Sequence, residues 1–206
     1  MPKIVIEGVD GSGKTTIAQS LSTKIGGNLI ASSQVSFLPA IRKYTNLDTA
    51  NTIARFGYYL AVNKYTTDIL ANGDSKTDVF DRYIYSTLTT HIALDTLYND
   101  GRNIKHIKEI FEQESQNFPT PDTVAFLYVN PEVRKLRVNL RDVRADSKLD
   151  FNSSFAIETE KLLKELAKDM RGEGITNVVE IDTSNKTVEE SMNIILKSHL
   201  GLIQRV

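Results

Sequence analysis

The chain contains no cysteine, so disulfides, thiolate zinc sites and thiol nucleophiles are excluded. Its three histidines, His91, His106 and His199, lie far apart in sequence and suggest no histidine metal centre. Positive charge is not in excess: 25 basic residues meet 26 acidic ones, for a formal net charge of −1. Polymeric nucleic acid, which needs a basic field, is therefore not an expected partner. Long apolar runs are missing too. The longest clean one, Val124 to Val129, is far too short to span a bilayer. No basic and apolar leader precedes the first strand pattern, so a cleaved signal peptide is not expected and a cytoplasmic location is. At 206 residues the chain suits one domain with a proper core.

What is present is organised around the first sixteen residues. Ile4, Val5 and Ile6 make a short apolar run of the kind that forms a buried strand. Gly8, Gly13, Lys14 and Thr15 then fit G-x-x-x-x-G-K-[ST], and Thr15 to Leu21 begin a helical pattern. Strand, glycine-rich loop and helix are the setting such a loop requires. Its backbone N–H groups turn inward on phosphate oxygens, aided by the helix N-terminus. Gly8, Asp10, Gly11, Ser12, Gly13, Lys14, Thr15 and Thr16 are thus the candidate phosphate cradle. Lys14 is expected to project into a solvent-filled loop and reach the β- and γ-phosphates, with Thr15 Oγ on Mg²⁺.

The remaining pattern alternates strand and helix, which predicts an α/β fold: a doubly wound five-stranded parallel sheet with helices on both faces. Further strands are expected at 28–31, 77–80, 123–129 and 177–181. Helices are expected from the loop to about 24, then at 48–72, 84–98, 104–117, 131–144, 155–170 and 187–200. Gly26-Gly27 stops the first helix. Asn130-Pro131 is a cap followed by proline at the first helical position, and Thr187-Val188-Glu189-Glu190 is a capping box. Residues 32–47 are ambiguous, with Pro39 opening a short helix at most. No repeat or linker divides the chain, so 1–206 reads as one domain.

Further chemistry gathers at three places. Asp81 ends the third strand, where an acid sits beside the loop and can hold Mg²⁺; Arg82 follows and can grip a second phosphate. Arg134, Arg137, Arg141 and Arg144 share one helix face at spacings of 3, 4 and 3, with Val133, Leu136 and Leu140 as the buried face. Together with the polar stretch that follows, the stripe reads as a phosphate-closing lid over 134–152. The plainer alternative is a solvated face relieved by Asp142 and Asp146. Glu7 and Asp10 place carboxylates beside a site that favours anions, which suggests contact with a substrate hydroxyl. The alternative for each is a structural hydrogen bond to the loop.

Glu7-Gly8-Val9-Asp10-Gly11-Ser12-Gly13-Lys14-Thr15-Thr16 resembles the E-G-x-D-G-x-G-K-T-T of the thymidylate kinase family. Asp81-Arg82-Tyr83 with Ser86 is similar to its D-R-Y-x-x-S, and Asn63-Lys64 to an Asn-Arg pair on its long helix. The resemblance implies a P-loop kinase fold with sheet order 2-3-1-4-5, a homodimer, and ATP and a deoxynucleoside monophosphate as substrates. It implies that Asp10 meets the 3′-hydroxyl, and that Arg42 and Arg82 hold the acceptor phosphate. With Gly11 in the loop, the catalytic arginines become Arg141 and Arg144. Residues 182–186, with Ser184 and Lys186, would flank the adenine, with Arg137 on the same side. An acceptor region of about 32–72 follows, with Leu60, Lys64, Ser86, Thr90, His91 and Phe151 around the base. Here the sequence departs from the family: Lys64 stands for the arginine that reads the base edge, Leu60 for the stacking aromatic, and Thr89-Thr90-His91 for Ala-Tyr-Gln. Tyr58, Tyr59 or Phe151 could replace the aromatic. Nothing evident grips a 5-methyl group.

The expected reaction is phosphorylation of dTMP to dTDP by ATP, with weak discrimination against dUMP. Alternatives are phosphorylation of another monophosphate, or a deoxynucleoside kinase in which Glu7 deprotonates a 5′-hydroxyl. Those kinases carry Glu-Arg-Ser where this chain has Asp81-Arg82-Tyr83. A GTP-hydrolysing switch would need N-K-x-D, and both Asn63-Lys64-Tyr65-Thr66 and Asn185-Lys186-Thr187-Val188 lack the aspartate. A module that binds nucleotide without catalysis is the remaining alternative.

Overall fold

The computed structural model describes residues 2–35, 38–71, 76–140, 153–174 and 176–203. The strands β1 (Lys3–Gly8), β2 (Asn28–Ala31), β3 (Asp78–Asp81), β4 (Thr123–Tyr128) and β5 (Asn177–Asp182) form one sheet in the order β2-β3-β1-β4-β5. Every neighbouring pair is parallel. The helices are α1 (Lys14–Ile25), α2 (Leu38–Tyr44), α3 (Thr52–Leu70), α4 (Ile84–Tyr98), α5 (Ile104–Ser115), α6 (Pro131–Asn139), α7 (Ser153–Glu173) and α8 (Val188–Ile203).

Successive strand residues point to opposite faces, so each central strand serves two cores. Val5, Phe80, Val124 and Phe126 pack with Phe56 of α3, Ile92 of α4, Ile107 of α5 and Leu163 of α7. Ile4, Ile6, Val79, Ala125 and Leu127 face the other way, against Leu21 of α1 and Ile195 of α8. This two-sided burial is why the strands read as continuous apolar runs.

Capping residues set the element ends. Gly26 closes α1 in the left-handed conformation (φ 61°). Asn51 accepts from Ala54 N at 2.8 Å, so the long helix starts at Thr52 rather than Asp48. Asn130 accepts from Glu132 N at 2.9 Å, and Thr187 and Glu190 exchange the bonds of a capping box. Residues 32–47 hold a 3₁₀ turn (Ser32–Gln34) and α2. Helix α6 corrects the sequence expectation: it ends at Asn139, and Leu136 and Leu140 are 64% and 86% exposed instead of buried. The inward face is that of Arg134 and Val138. The part of the expected lid from 141 to 152 lies outside the described residues.

Candidate active site

The phosphate loop connects β1 to α1, and its glycines are required by space. A Cβ on Gly8 would sit 2.5 Å from Leu127 O, and one on Gly11 (φ 89°) 2.9 Å from Arg134 Cγ. Gly13, left-handed at φ 93°, is the N-cap of α1, and the helix N-terminus opens directly onto the loop.

Lys14 is only 4% exposed, not projecting into solvent as the motif alone suggests. A buried ammonium needs an acceptor. Its Nζ donates to Val9 O at 2.8 Å and lies 3.5 Å from Asp10 Oδ1. Burial first, and the Arg82 charge second, bring its pKa down to about 8. Thr15 Oγ1 donates to Asp81 Oδ2 at 2.7 Å, while Asp81 Oδ1 is buried with no hydrogen-bond partner among the described residues.

The turn after β3 is unusual. Arg82 adopts φ 74°, a left-handed conformation rare for a residue with a side chain. Its guanidinium pairs closely with Asp10, which thus joins Arg82 to Lys14. Glu7 has zero exposure and lines no cavity described here, which corrects its expected contact with a substrate hydroxyl. Its Oε1 accepts from the backbone N of Tyr83 at 2.9 Å and of Ser86 at 3.1 Å. Burial pushes its carboxyl up to about 7.

The first two arginines of the stripe hold the loop from behind. Arg134, buried rather than solvated, donates through Nε to Asp10 O at 2.9 Å. Arg137 donates to Gly11 O at 3.4 Å and to Thr183 O at 2.7 Å, tying the loop to the end of β5. A cleft of about 270 Å³ follows, lined by Gly11, Ser12, Gly13, Thr16, Arg137 and Lys186. Ser184 is not part of it: its Oγ accepts from Asn130 N at 2.7 Å and donates to Asp182 at 2.5 Å, so it is a turn residue.

On the other side of the loop lies a cavity of about 480 Å³. Asp10, Asp81 and Arg82 line it, and so do Arg42, Ser86, Thr90 and His91. Two expected residues do not. Leu60 is buried in the core, and Lys64 pairs with Asp68 at 2.6 Å on the outer surface. The face of α3 turned to the cavity carries Arg55, Tyr59 and Asn63 instead, at i, i+4 and i+8. Positions 60 and 64 lie about 100° further round the helix. The four-residue spacing of Arg55, Tyr59 and Asn63, which puts them on one face of α3, was the available signal. Asn63 Nδ2 donates to Thr87 Oγ1 at 2.7 Å, fixing α3 against α4. Phe80 and Phe155 are the phenylalanines lining the cavity among the described residues; Phe151, Arg141 and Arg144 lie outside them.

His91 is buried, and burial pushes its pKa down to about 4, so it is neutral near pH 7. Its Nδ1 lies 2.7 Å from Thr87 O, a pure acceptor, so the proton sits on Nδ1. Nε2 is left as a bare acceptor, with no hydrogen-bond partner among the described residues.

A glycine loop at a helix N-terminus, a buried lysine, a Thr–Asp pair and a paired arginine over an adjacent cavity define a phosphate-loop phosphotransferase. Known proteins agree. The thymidylate kinase family model matches residues 6–195. A probable thymidylate kinase of Sulfolobus acidocaldarius is 28% identical over 195 residues, covering 91% of this chain and 90% of the relative. A thymidylate kinase of Leptospira interrogans is 27% identical over 154 residues, 67% and 69% of the two chains. Among solved structures, thymidylate kinase from Candida albicans has a TM-score of 0.71 at 24% identity, covering 96% of this chain and 93% of its own. Deoxyadenosine kinase from M. mycoides has 0.72 at 17% identity, covering 97% and 99%. The chain belongs to the thymidylate kinase family. It is a kinase that binds a nucleotide phosphate donor and acts on small-molecule nucleotides. Among the described residues, no helix is long and apolar enough to cross a membrane.

Proposed function

We propose that the chain transfers the γ-phosphoryl group of ATP to dTMP, giving dTDP and ADP. One observation carries this reading: a single cavity runs from Asp10, Asp81 and Arg82 at the phosphate loop to Tyr59 and His91, with three arginines, Arg42, Arg55 and Arg82, in its lining. Arg42 and Arg82 suit an acceptor that already bears a phosphate, leaving Arg55 for the base end, and so favour a monophosphate over a nucleoside. The names of the relatives favour thymidylate.

Lys14 and the loop N–H groups would hold the β- and γ-phosphates, with the adenine in the cleft between Arg137 and Lys186. Thr15 Oγ1 and the unpartnered Asp81 Oδ1 are hard oxygens beside the loop and fit Mg²⁺, which takes most of its ligands from phosphate and water. When bound, that ion neutralises charge across the two phosphates. Arg82 and Arg42 would orient the acceptor phosphate in line. Asp10 would meet the sugar hydroxyl, and His91 Nε2 would accept from an N–H of the base. The whole chain would act as one kinase domain, with the acceptor region in 32–72 and a lid in 134–152 bearing Arg141 and Arg144. A cytoplasmic homodimer fits the exposed apolar side chains Tyr65, Ile69, Leu97 and Tyr98 on α3 and α4.

The test is ADP release with ATP, Mg²⁺ and each of dTMP, dUMP, dCMP, dGMP, dAMP and thymidine. The expected order has dTMP first and dUMP close behind. A purine monophosphate or thymidine as best acceptor overturns the dTMP assignment, and no ADP with any of them overturns the kinase reading. A second measurement addresses the base end of the cavity. Arg55→Ala is expected to raise the acceptor KM about tenfold, the scale of a hydrogen bond from a charged group. Lys64→Ala, which removes only a surface pair, should leave it within about twofold. Equal effects of the two would place the base against the other face of α3.

A further inference from the structure

We propose that Glu7 is a positioning residue for Arg82: it clamps the Asp81-Arg82-Tyr83 turn in the conformation that aims the guanidinium into the acceptor cavity. The inference rests on the phosphoryl-transfer reading above and assigns Glu7 a role in it.

Register places Ile6 beside Asp81, so β1 ends against the turn that follows β3. There Arg82 takes its left-handed φ of 74°. This conformation is unfavourable for arginine and persists only where the surroundings impose it. Two bonds do so, one on each side. Arg82 N donates to Ile6 O at 3.1 Å, and the next N–H, that of Tyr83, donates to Glu7 Oε1 at 2.9 Å. The same oxygen takes Ser86 N at 3.1 Å, so it also satisfies the first turn of α4. Consecutive residues of β1 thus grip consecutive N–H groups of the turn. With the Glu7 bonds gone, Arg82 can relax to an ordinary φ, and the guanidinium swings away from Asp10 and the cavity.

Direct chemistry by Glu7 does not fit. It has zero exposure and lines neither the acceptor cavity nor the cleft beside the loop, so it touches no substrate. The charges around it, Arg82 and Lys14, are those of the reacting centre itself, and Glu7 meets the cavity lining through the backbone of Tyr83 and the backbone and side chain of Ser86.

The test compares Glu7→Gln, Glu7→Asp and Glu7→Ala with wild type on the best acceptor found in the panel. Wild type alone judges the phosphoryl-transfer reading, so the two ideas fail separately. Gln keeps an oxygen where both N–H groups need it and is expected to stay within about threefold of wild type in every constant. Asp, one methylene shorter, and Ala should raise the acceptor KM about tenfold while the KM for ATP stays within about twofold. Calorimetry of acceptor binding without ATP should show the same pattern in Kd. If Ala does not fold, Gln and Asp decide. A Glu7→Gln enzyme that keeps its KM but loses most of kcat makes Glu7 a proton acceptor, and overturns the proposal. So does an Asp variant with unchanged acceptor KM, or one whose two KM values rise together.

Discussion

Lys14→Met is expected to lower kcat by about 10²–10³-fold, the scale seen when a preorganised donor to developing charge is removed. Lys14 Nζ is already desolvated, and its partners are a neutral carbonyl and a carboxylate at 3.5 Å. A triphosphate offers a buried ammonium a far stronger partner than Val9 O, so binding redirects the lysine onto the phosphates. Methionine keeps the apolar stem in its slot and removes one of two donors to Val9 O, which keeps Ser12 N at 3.2 Å, at a cost of about 0.5–1.5 kcal/mol. The fold survives that loss, because β1 and α1 are held by Ile4, Ile6, Ile17 and Leu21 in the core. Initial rates of ADP release, with thermal melts as the check on folding, make the measurement. Near-wild-type turnover in a folded variant would remove Lys14 from the mechanism and the loop from its role.

Arg82→Gly should separate activity from stability. The guanidinium is the cation that lines the acceptor cavity beside Asp10, and its loss should lower kcat/KM by about 10²–10³-fold. Stability should not fall with it. A left-handed arginine costs roughly 1–2 kcal/mol that glycine does not incur. The pair it forms with Asp10 is more than a third exposed on the arginine side, and such pairs contribute only about 0–1 kcal/mol. The backbone term therefore equals or exceeds the side-chain term, and the melting temperature is expected to hold or rise. A clear drop would mean that the ion pair carries more of the fold than its exposure allows. An unchanged rate would move the acceptor phosphate elsewhere, with Arg42 and Arg55 as the other cations in the cavity.

Local signals were read where the physics is local. Asn28–Ala31 and Ile84–Tyr98 stand where strand and helix patterns place them, and Gly26, Asn130 and Thr187 cap the helices their positions announce. Errors arose where a side chain's surroundings come from distant segments. Leu136 and Leu140 read as a buried face because they are apolar, yet α6 lies with Arg134 and Arg137 against the loop backbone. That loop is more than a hundred residues away in sequence. Its carbonyls, pointing outward as the N–H groups turn inward, are acceptors that no periodicity reveals.

The sequence by itself determined the phosphate loop, the alternation that makes a parallel sheet, and the acid and arginine at the end of β3. Those depend on spacing within a few residues and on backbone geometry that only certain residue types permit. Only the tertiary structure decided which face of α3 meets the acceptor, placing Arg55, Tyr59 and Asn63 there while Leu60 enters the core and Lys64 the surface. A helix buried on most of its circumference carries no strong apolar stripe, so its rotation is set by what packs on it. The tertiary structure also turned Glu7 from a candidate at the reacting centre into a clamp on Tyr83 and Ser86. The reason is one of register: β1 and β3 pair so that a residue at position 7 ends beside N–H groups at 83 and 86, which chain order alone keeps far apart.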